Sequence, residues 1–194
     1  MPRYLQMYSA VFILVIYVSF VIDFVIIPIP SEASTSSLLS KASDNSSLYR
    51  LASLLLFLIN LILYLAPAVY AIVSFSTELK LALHTSWTFV LGVLLALFGR
   101  FITLRGAVVL RSRLATVVKQ DIFRWSRNPI ALGMHFTLLG LILCTEQWYL
   151  ILGLIFTIWN INKKIKIEEQ YLIDRYGAPY VDYMQKTPRY LWMY

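Results

Sequence analysis

Charge is the scarcest resource in this chain: charged residues make up 14% of its 194 positions, against about a quarter in an ordinary soluble domain. That scarcity and a mean hydropathy of +0.70 turn the expectation to a polytopic membrane protein, whose length is expected to leave no room for a separate soluble domain. Cysteine is almost absent. The single Cys144 excludes an internal disulfide and, within an apolar run, reads as a small hydrophobe. The two histidines, His84 and His135, lie too far apart for any known ligand spacing, so no metal site is expected. Nucleic-acid binding is not expected either in a chain this apolar, despite its net charge of +7.

What the sequence does have is long apolar runs. Leu5 to Ile29 is the first. It is too long for a signal peptide and ends in Pro28-Ile29-Pro30 without a small-x-small cleavage site, so it reads as a retained span. Asp23 interrupts it at a depth expected near the interface. Residues 31–47 hold eight serines and no apolar period, which predicts a loop. Leu51 to Phe75 carries no charge and is the cleanest span, kinked at Pro67. Leu81 to Leu104 is the third, with His84 and Arg100 near its ends, where polar tips reach the interface.

Composition then changes. Seven Lys/Arg and one acid, Asp121, fall between Arg100 and Arg127. The apolar stretch that follows, Pro129 to Ile161, would make a helix of about 50 Å, too long for a hydrocarbon core of about 30 Å. Thr145-Glu146-Gln147 divides it, so a hairpin of short helices is expected over 130–143 and 148–161. Its flanks, the basic 105–127 loop and Asn162 to Lys166, then return to one side. The positive-inside rule makes that side cytoplasmic and, counting back three spans, puts the N-terminus outside. Thirteen of the 17 Lys/Arg lie at or after Arg100, where they can also meet anionic lipid headgroups.

The expected fold is therefore an all-α integral membrane protein with about five transmembrane helices, the last two a hairpin, followed by a C-terminal amphipathic helix. In that last segment Ile165, Glu169, Leu172 and Tyr176 share a stripe, Glu168 lies at its margin one turn after Lys164, and Gly177 stops the helix. The aromatic tail beyond, Tyr180 to Tyr194, is of a composition expected at a membrane interface. The chain reads as one domain, residues 1–194, with 1–104 a three-span scaffold and 105–194 the functional region.

Two stretches carry chemistry. In "RNPIALGMHFTLLG", Asn128 is a good N-cap and Pro129 a favoured first helical residue. Gly133 and Gly140 lie on one face and would admit a close neighbour, with Gly153 in the second arm as the expected partner. A helix start beside Arg124 and Arg127 is also suited to a carboxylate or phosphate. In "KIEEQYLIDRYG", Lys164 and Glu168 form an ordinary i,i+4 pair on the plain reading. On the sharper one, a carboxylate near an apolar face requires a cation, which a ligand bearing an ammonium or sulfonium would supply.

At these stretches the chain resembles the isoprenylcysteine carboxyl methyltransferase family and its phospholipid methyltransferase relatives. The resemblance rests on Arg127, Pro129 and Gly133, a hairpin-sized gap, then Glu168, Glu169, Leu172, Tyr176, Gly177, Tyr180, Tyr183 and Pro188. It covers about residues 115–190. The small size and short loops are those expected of a prokaryotic, archaeal member. The resemblance implies an S-adenosylmethionine site with contacts from Thr116, Val117, Val118, Phe123, Asn128, Pro129, Ile130, Ala131 and Glu168. It implies catalytic roles for Lys164, which would orient a carboxylate acceptor, and for Glu169, the base for an amine or thiol acceptor. The implied activity is methyl transfer to a lipophilic acceptor, the carboxylate of a prenylated cysteine first, a phospholipid or thiol second. Departures from the family pattern fall at Asn128 for histidine, Ala131 and Phe123 for tyrosine, Asp121 for glycine and Lys164 for arginine. Two rival readings remain: a membrane sterol reductase using NADPH, and a membrane protein without catalysis.

Overall fold

The computed structural model describes residues 87–111, 117 and 119–191, together with scattered positions of residues 11–19 and 55–73 that are all helical. Among the described residues there is helix and no strand. The helices are α1 (Trp87–Arg111), α2 (Pro129–Thr145), α3 (Leu150–Tyr176) and α4 (Ala178–Lys186), with a short 3-10 turn at Asp121–Arg124 before α2. The expected first two spans, Asp23 and His84 lie outside the described residues, apart from those scattered helical positions.

Helix α1 is described from Trp87 and ends at Arg111, later than the expected 104. Its stretch Trp87–Leu110 is long and apolar enough to cross a membrane. Arg100 is consequently not at an end. It is buried in mid-helix, where its Nη2 donates to the Ser19 carbonyl at 3.0 Å. A guanidinium at such depth needs an acceptor. Val90, Leu94, Leu97, Phe101, Leu104 and Val108 are exposed on α1, an apolar surface suited to lipid rather than water.

The opposite face of α1 is built from small residues. Gly92, Ala96, Gly99, Thr103 and Gly106 repeat at four and three, and all are buried. They meet Gly133, Thr137, Gly140 and Cys144 of α2, which repeat in the same way. The helices run antiparallel with backbones in contact. A Cβ on Gly99 would lie 2.5 Å from the Gly133 oxygen, and one on Gly140 would lie 2.5 Å from the Ala96 nitrogen. The Thr103 and Thr137 hydroxyls donate to the Gly99 and Gly133 carbonyls one turn back, at 3.0 and 2.9 Å, so the seam buries no unpaired hydroxyl. The partner of Gly133 and Gly140 is thus α1, not Gly153. Van der Waals contact is what holds helices where water cannot drive them together, and small residues maximise it.

The hairpin exists with shifted bounds. Glu146 ends α2 in the left-handed region (φ 54°), and Thr88 Oγ1 donates to its carboxylate at 3.1 Å. Helix α3 does not stop at 161. It continues through the amphipathic stretch as one helix of 27 residues, because nothing between Trp159 and Lys163 breaks it. Near the turn, α2 and α3 share an aliphatic cluster of Leu138, Ile142, Leu150 and Leu154. Exposed Trp87, Trp148 and Tyr149 mark the turn end, and exposed Trp125 and Trp159, with Lys163 Nζ 3.6 Å above the Trp159 ring, mark the basic end. Such belts are what an interface selects.

Gly177 stops α3 as expected, with φ 61° and its N–H donating to the Ile173 carbonyl at 2.8 Å. The tail beyond is not the interfacial belt that its composition suggests. It forms α4, and Tyr180, Tyr183 and Tyr190 are buried. Trp192 and Tyr194 lie outside the described residues.

Candidate functional site

The basic end of the hairpin gathers four segments: the 3-10 turn, the start of α2, the charged half of α3 and the strap after α4. Phe123 is buried in the turn, and its carbonyl accepts the Tyr183 hydroxyl at 2.7 Å, which fixes α4 to the turn. Burial pushes the Tyr183 hydroxyl's pKa above its usual value, so it stays a donor. The strap is pinned by the Arg127 N–H on the Pro188 carbonyl at 2.9 Å, and by the Ser126 hydroxyl on the Arg189 carbonyl at 3.0 Å.

Asp121 opens the turn at φ 59°, a conformation that glycine adopts freely and most residues do not. The family pattern's glycine at this position has a physical reason here. Aspartate is tolerated because its Oδ1 accepts from the Ile122 N–H at 2.8 Å and its Oδ2 from Arg105. The Arg105 guanidinium holds the carboxyl below its usual pKa. Asp121→Gly is expected to leave the thermal midpoint nearly unchanged, because the relieved backbone offsets an exposed ion pair. Asp121→Val is expected to lower it by several degrees. Thermal unfolding of the two variants checks this, and equal midpoints would refute the backbone argument.

Asn128 stands at the helix start, but its side chain makes no capping bond. Its Nδ2 faces the Arg189 carbonyl at 3.4 Å, and its N–H donates to Ser126 Oγ at 3.1 Å. Pro129 is buried at the first helical position, with Ile130 and Ala131 half-buried after it. Val117 is half-buried; Thr116 and Val118 lie outside the described residues.

The electrostatic centre is a triad. Glu169 is buried on the α3 stripe, as its position predicts. Its Oε1 lies 3.4 Å from Arg127 Nη1 and accepts Arg189 Nε at 3.2 Å, while its Oε2 accepts Arg189 Nη2 at 2.5 Å. The side chains of Arg127 and Glu169 are only 3% and 6% exposed, so this pair is out of water. The cation that the stripe's carboxylate requires therefore comes from within the chain. Two guanidiniums against one carboxylate leave a net positive charge, and Arg127 Nε and Nη1 are buried without a hydrogen-bond acceptor. An unmade buried bond costs about 1–3 kcal/mol, more for a charged group. Such a site favours an anionic ligand.

At the adjacent residue of α3 the sign reverses. Glu168 is exposed on α3, makes no ion pair with the likewise exposed Lys164, and has none of Glu169's arginine partners. Surrounding protein raises its pKa first, the neighbouring Glu169 second. A carboxylate that is open yet poorly solvated is one that a cationic ligand stabilises. The basic end of the hairpin thus holds both a buried cation with unused donors, Arg127, and an exposed carboxylate, Glu168.

The structure brings Phe123, Asn128, Pro129, Glu168 and Glu169 to one end of the hairpin. Lys164 is on the same helix but points to the exterior. Arg189, Tyr190 and Ser126 were not assigned to the site from the sequence, whereas Tyr183 belongs to the family pattern. The one available signal was Arg189, a cation inside an aromatic tail.

No solved structure matches this chain. Over 72 residues it is 32% identical to protein-S-isoprenylcysteine O-methyltransferase of Saccharomyces cerevisiae, a match covering 37% of this chain. The matched stretch spans 30% of the yeast protein's length. Residues 79–179, slightly more than half of the chain, match the family described as phospholipid methyltransferase. With the start of α2 and Glu168-Glu169 of α3 inside that match, and the strap beyond it, the chain belongs to the phospholipid methyltransferase family of membrane methyltransferases.

Proposed function

We propose that this protein is a multi-pass membrane methyltransferase that uses S-adenosylmethionine to methylate a lipophilic acceptor at the cytoplasmic face, with residues 1–104 as scaffold and 105–194 as the working region. The reading is carried by the buried Arg127, whose Nε and Nη1 make no hydrogen bond, together with the exposed carboxylate of Glu168 at the same end of the hairpin. Bound there, the cofactor supplies a methyl already activated by its sulfonium. The protein's task is then to bind and orient. Arg127 and the start of α2 at Asn128-Pro129 would hold the carboxylate, and Glu168 the ammonium. Val117, Phe123, Ile130 and Ala131 would line the remainder, with Thr116 and Val118.

For the acceptor, the likeness to the yeast enzyme favours the carboxylate of a prenylated cysteine, which is nucleophilic without a base. Lys164, which points to the exterior, would then attract it toward the site as a point charge rather than hold it there as a bidentate fork. The family match at residues 79–179 favours a second acceptor class, the amine of a phospholipid headgroup, which must lose a proton. Both oxygens of Glu169 already face guanidiniums, so we assign it the positioning of Arg127 and Arg189 rather than proton transfer.

Titration with S-adenosylmethionine tests the reading. Saturable binding is expected, and Glu168→Gln is expected to weaken it by about tenfold to a hundredfold, as for a lost charge-assisted hydrogen bond. Its unfolding midpoint should stay that of the parent. A folded protein that binds NADPH, or neither nucleotide, defeats the proposal. A labelled-methyl assay with S-farnesyl-cysteine and phosphatidylethanolamine then separates the two acceptor classes.

A further inference from the structure

We infer that the place held by Tyr190 is the head-group subsite of the methyl acceptor, with Asn162 and His135 as its polar contacts. The inference rests on the methyl-transfer reading. Tyr190 is buried between the two arms of the hairpin. Its hydroxyl donates to Asn162 Oδ1 of α3 at 2.8 Å, and its ring meets the His135 ring of α2 edge-on, 6.3 Å between centroids. His135 Nε2 is buried without any hydrogen-bond partner. A tyrosine thus occupies a place with more polar capacity than it can use: Asn162 offers an amide donor as well as a carbonyl, and His135 a whole ring nitrogen.

The surroundings have the polarity of a lipid with a small polar head. From His135 one turn toward the hairpin's tip leads to Leu138 and Leu139, and from Asn162 one turn the same way leads to Ile158. The partly buried Leu139, Ile151 and Ile158 rest on the aliphatic cluster below. A molecule with an apolar chain against these residues would bring its polar end to the level of Asn162 and His135, beside the arginine triad.

Tyr190 is also on the segment best able to yield. Its strap contributes to neither buried aliphatic cluster. It is held by hydrogen bonds to Arg127, Ser126, Asn128, Asn162 and Glu169, which water or a ligand can replace. The α1–α2 seam, by contrast, is backbone against backbone and cannot slide without collision. Regions held by few apolar contacts open first. The acceptor therefore competes with Tyr190, a placeholder that keeps the polar groups dry until substrate arrives.

Two substitutions remove the same hydrogen bond and separate this from a merely structural role. Tyr190→Phe loosens the placeholder and keeps the subsite, so KM for S-farnesyl-cysteine should fall about threefold to tenfold, the range of one hydrogen bond. Asn162→Ala frees the placeholder but damages the subsite, so KM should rise by at least that factor. S-adenosylmethionine affinity should hold in both. Equal shifts in the same direction, or shifts confined to the cofactor, overturn the inference. A readout independent of turnover is carbethoxylation of His135 by diethyl pyrocarbonate, followed by mass spectrometry in detergent micelles. Tyr190→Phe should speed it and S-farnesyl-cysteine should slow it again. That arm stands if no methyl is transferred, and failure of the lipid to protect His135 overturns the subsite even if S-adenosylmethionine binds.

Discussion

Gly133→Leu is expected to yield no monodisperse folded protein in detergent, and even Gly133→Ala should lower the thermal midpoint sharply. A Cβ at this position would sit 2.6 Å from the Gly99 carbonyl oxygen and 2.8 Å from the Thr103 nitrogen, both backbone atoms of α1. Backbone inside a helix cannot swing aside like a side-chain tip, so the helices must separate. Separation loosens the whole seam, since Gly92, Ala96, Gly99 and Thr103 approach α2 in the same register. Overpacking costs typically about 1–3 kcal/mol and more where nothing relaxes; leucine here should exceed the upper figure. The loss would reach the functional end too, because α2 carries Pro129 and His135. The informative control is Gly177→Ala, which meets no atom within 4 Å and is penalised only through its φ of 61°. A Gly133→Ala variant that unfolds at the parental temperature would refute the close-packed seam.

That seam was half legible in the sequence. The seven-residue spacing of Gly133 and Gly140 announces a face made for close approach. The answering series Gly92, Gly99 and Gly106 is as regular, but hydropathy merges it into an apolar run in which any neighbour seems equally good. Gly153 looked nearer because hairpin arms are adjacent in sequence, whereas the helices that touch closely are those whose small residues match in register. Arg100 misled for a related reason. A charge is the natural end of a span by composition, yet here the helix runs on to Arg111 and the guanidinium is buried against the Ser19 carbonyl. The end of α3 was legible to the residue, since Gly177 is a local signal. The continuity of α3 was not: a change from apolar to charged composition resembles a boundary, although no residue there interrupts the backbone hydrogen bonds.

The site divides along the same line. Glu169 is predictable as buried from its stripe with Ile165, Leu172 and Tyr176, and a buried carboxylate demands a cation. Which cation answers is a tertiary fact. Arg127 and Arg189 come from positions 42 residues before and 20 residues after Glu169, brought in by α2 and by a strap that composition reads as an interfacial tail. Asp121 shows the reverse case. Its departure from the family's glycine is a puzzle in the sequence alone and becomes intelligible once its φ is known.

Glu169→Gln is expected to destabilise the protein by about 3–5 kcal/mol, the usual cost of removing one partner from a buried ion pair. Glutamine keeps the shape and one acceptor oxygen but leaves the buried Arg127 without a counter-charge, at a site where two of its nitrogens already lack acceptors. Arg189 also loses both of its carboxylate bonds, so the strap should fray and the Arg127 N–H bond to Pro188 weaken with it. Glu168→Gln, one residue away, should leave stability alone because Glu168 has no such partner. The neighbouring acids are therefore distinguished by which property fails: the fold for Glu169, the ligand for Glu168. The double variant Arg127→Met with Glu169→Leu sharpens the test. Replacing a buried pair by apolar residues of similar volume is often neutral for stability, so the midpoint should recover much of the loss. S-adenosylmethionine binding should not recover with it, because the buried cation that the ligand's carboxylate requires is gone. Recovery of both would make the triad a packing device, and recovery of neither would place its importance in Arg189 and the strap.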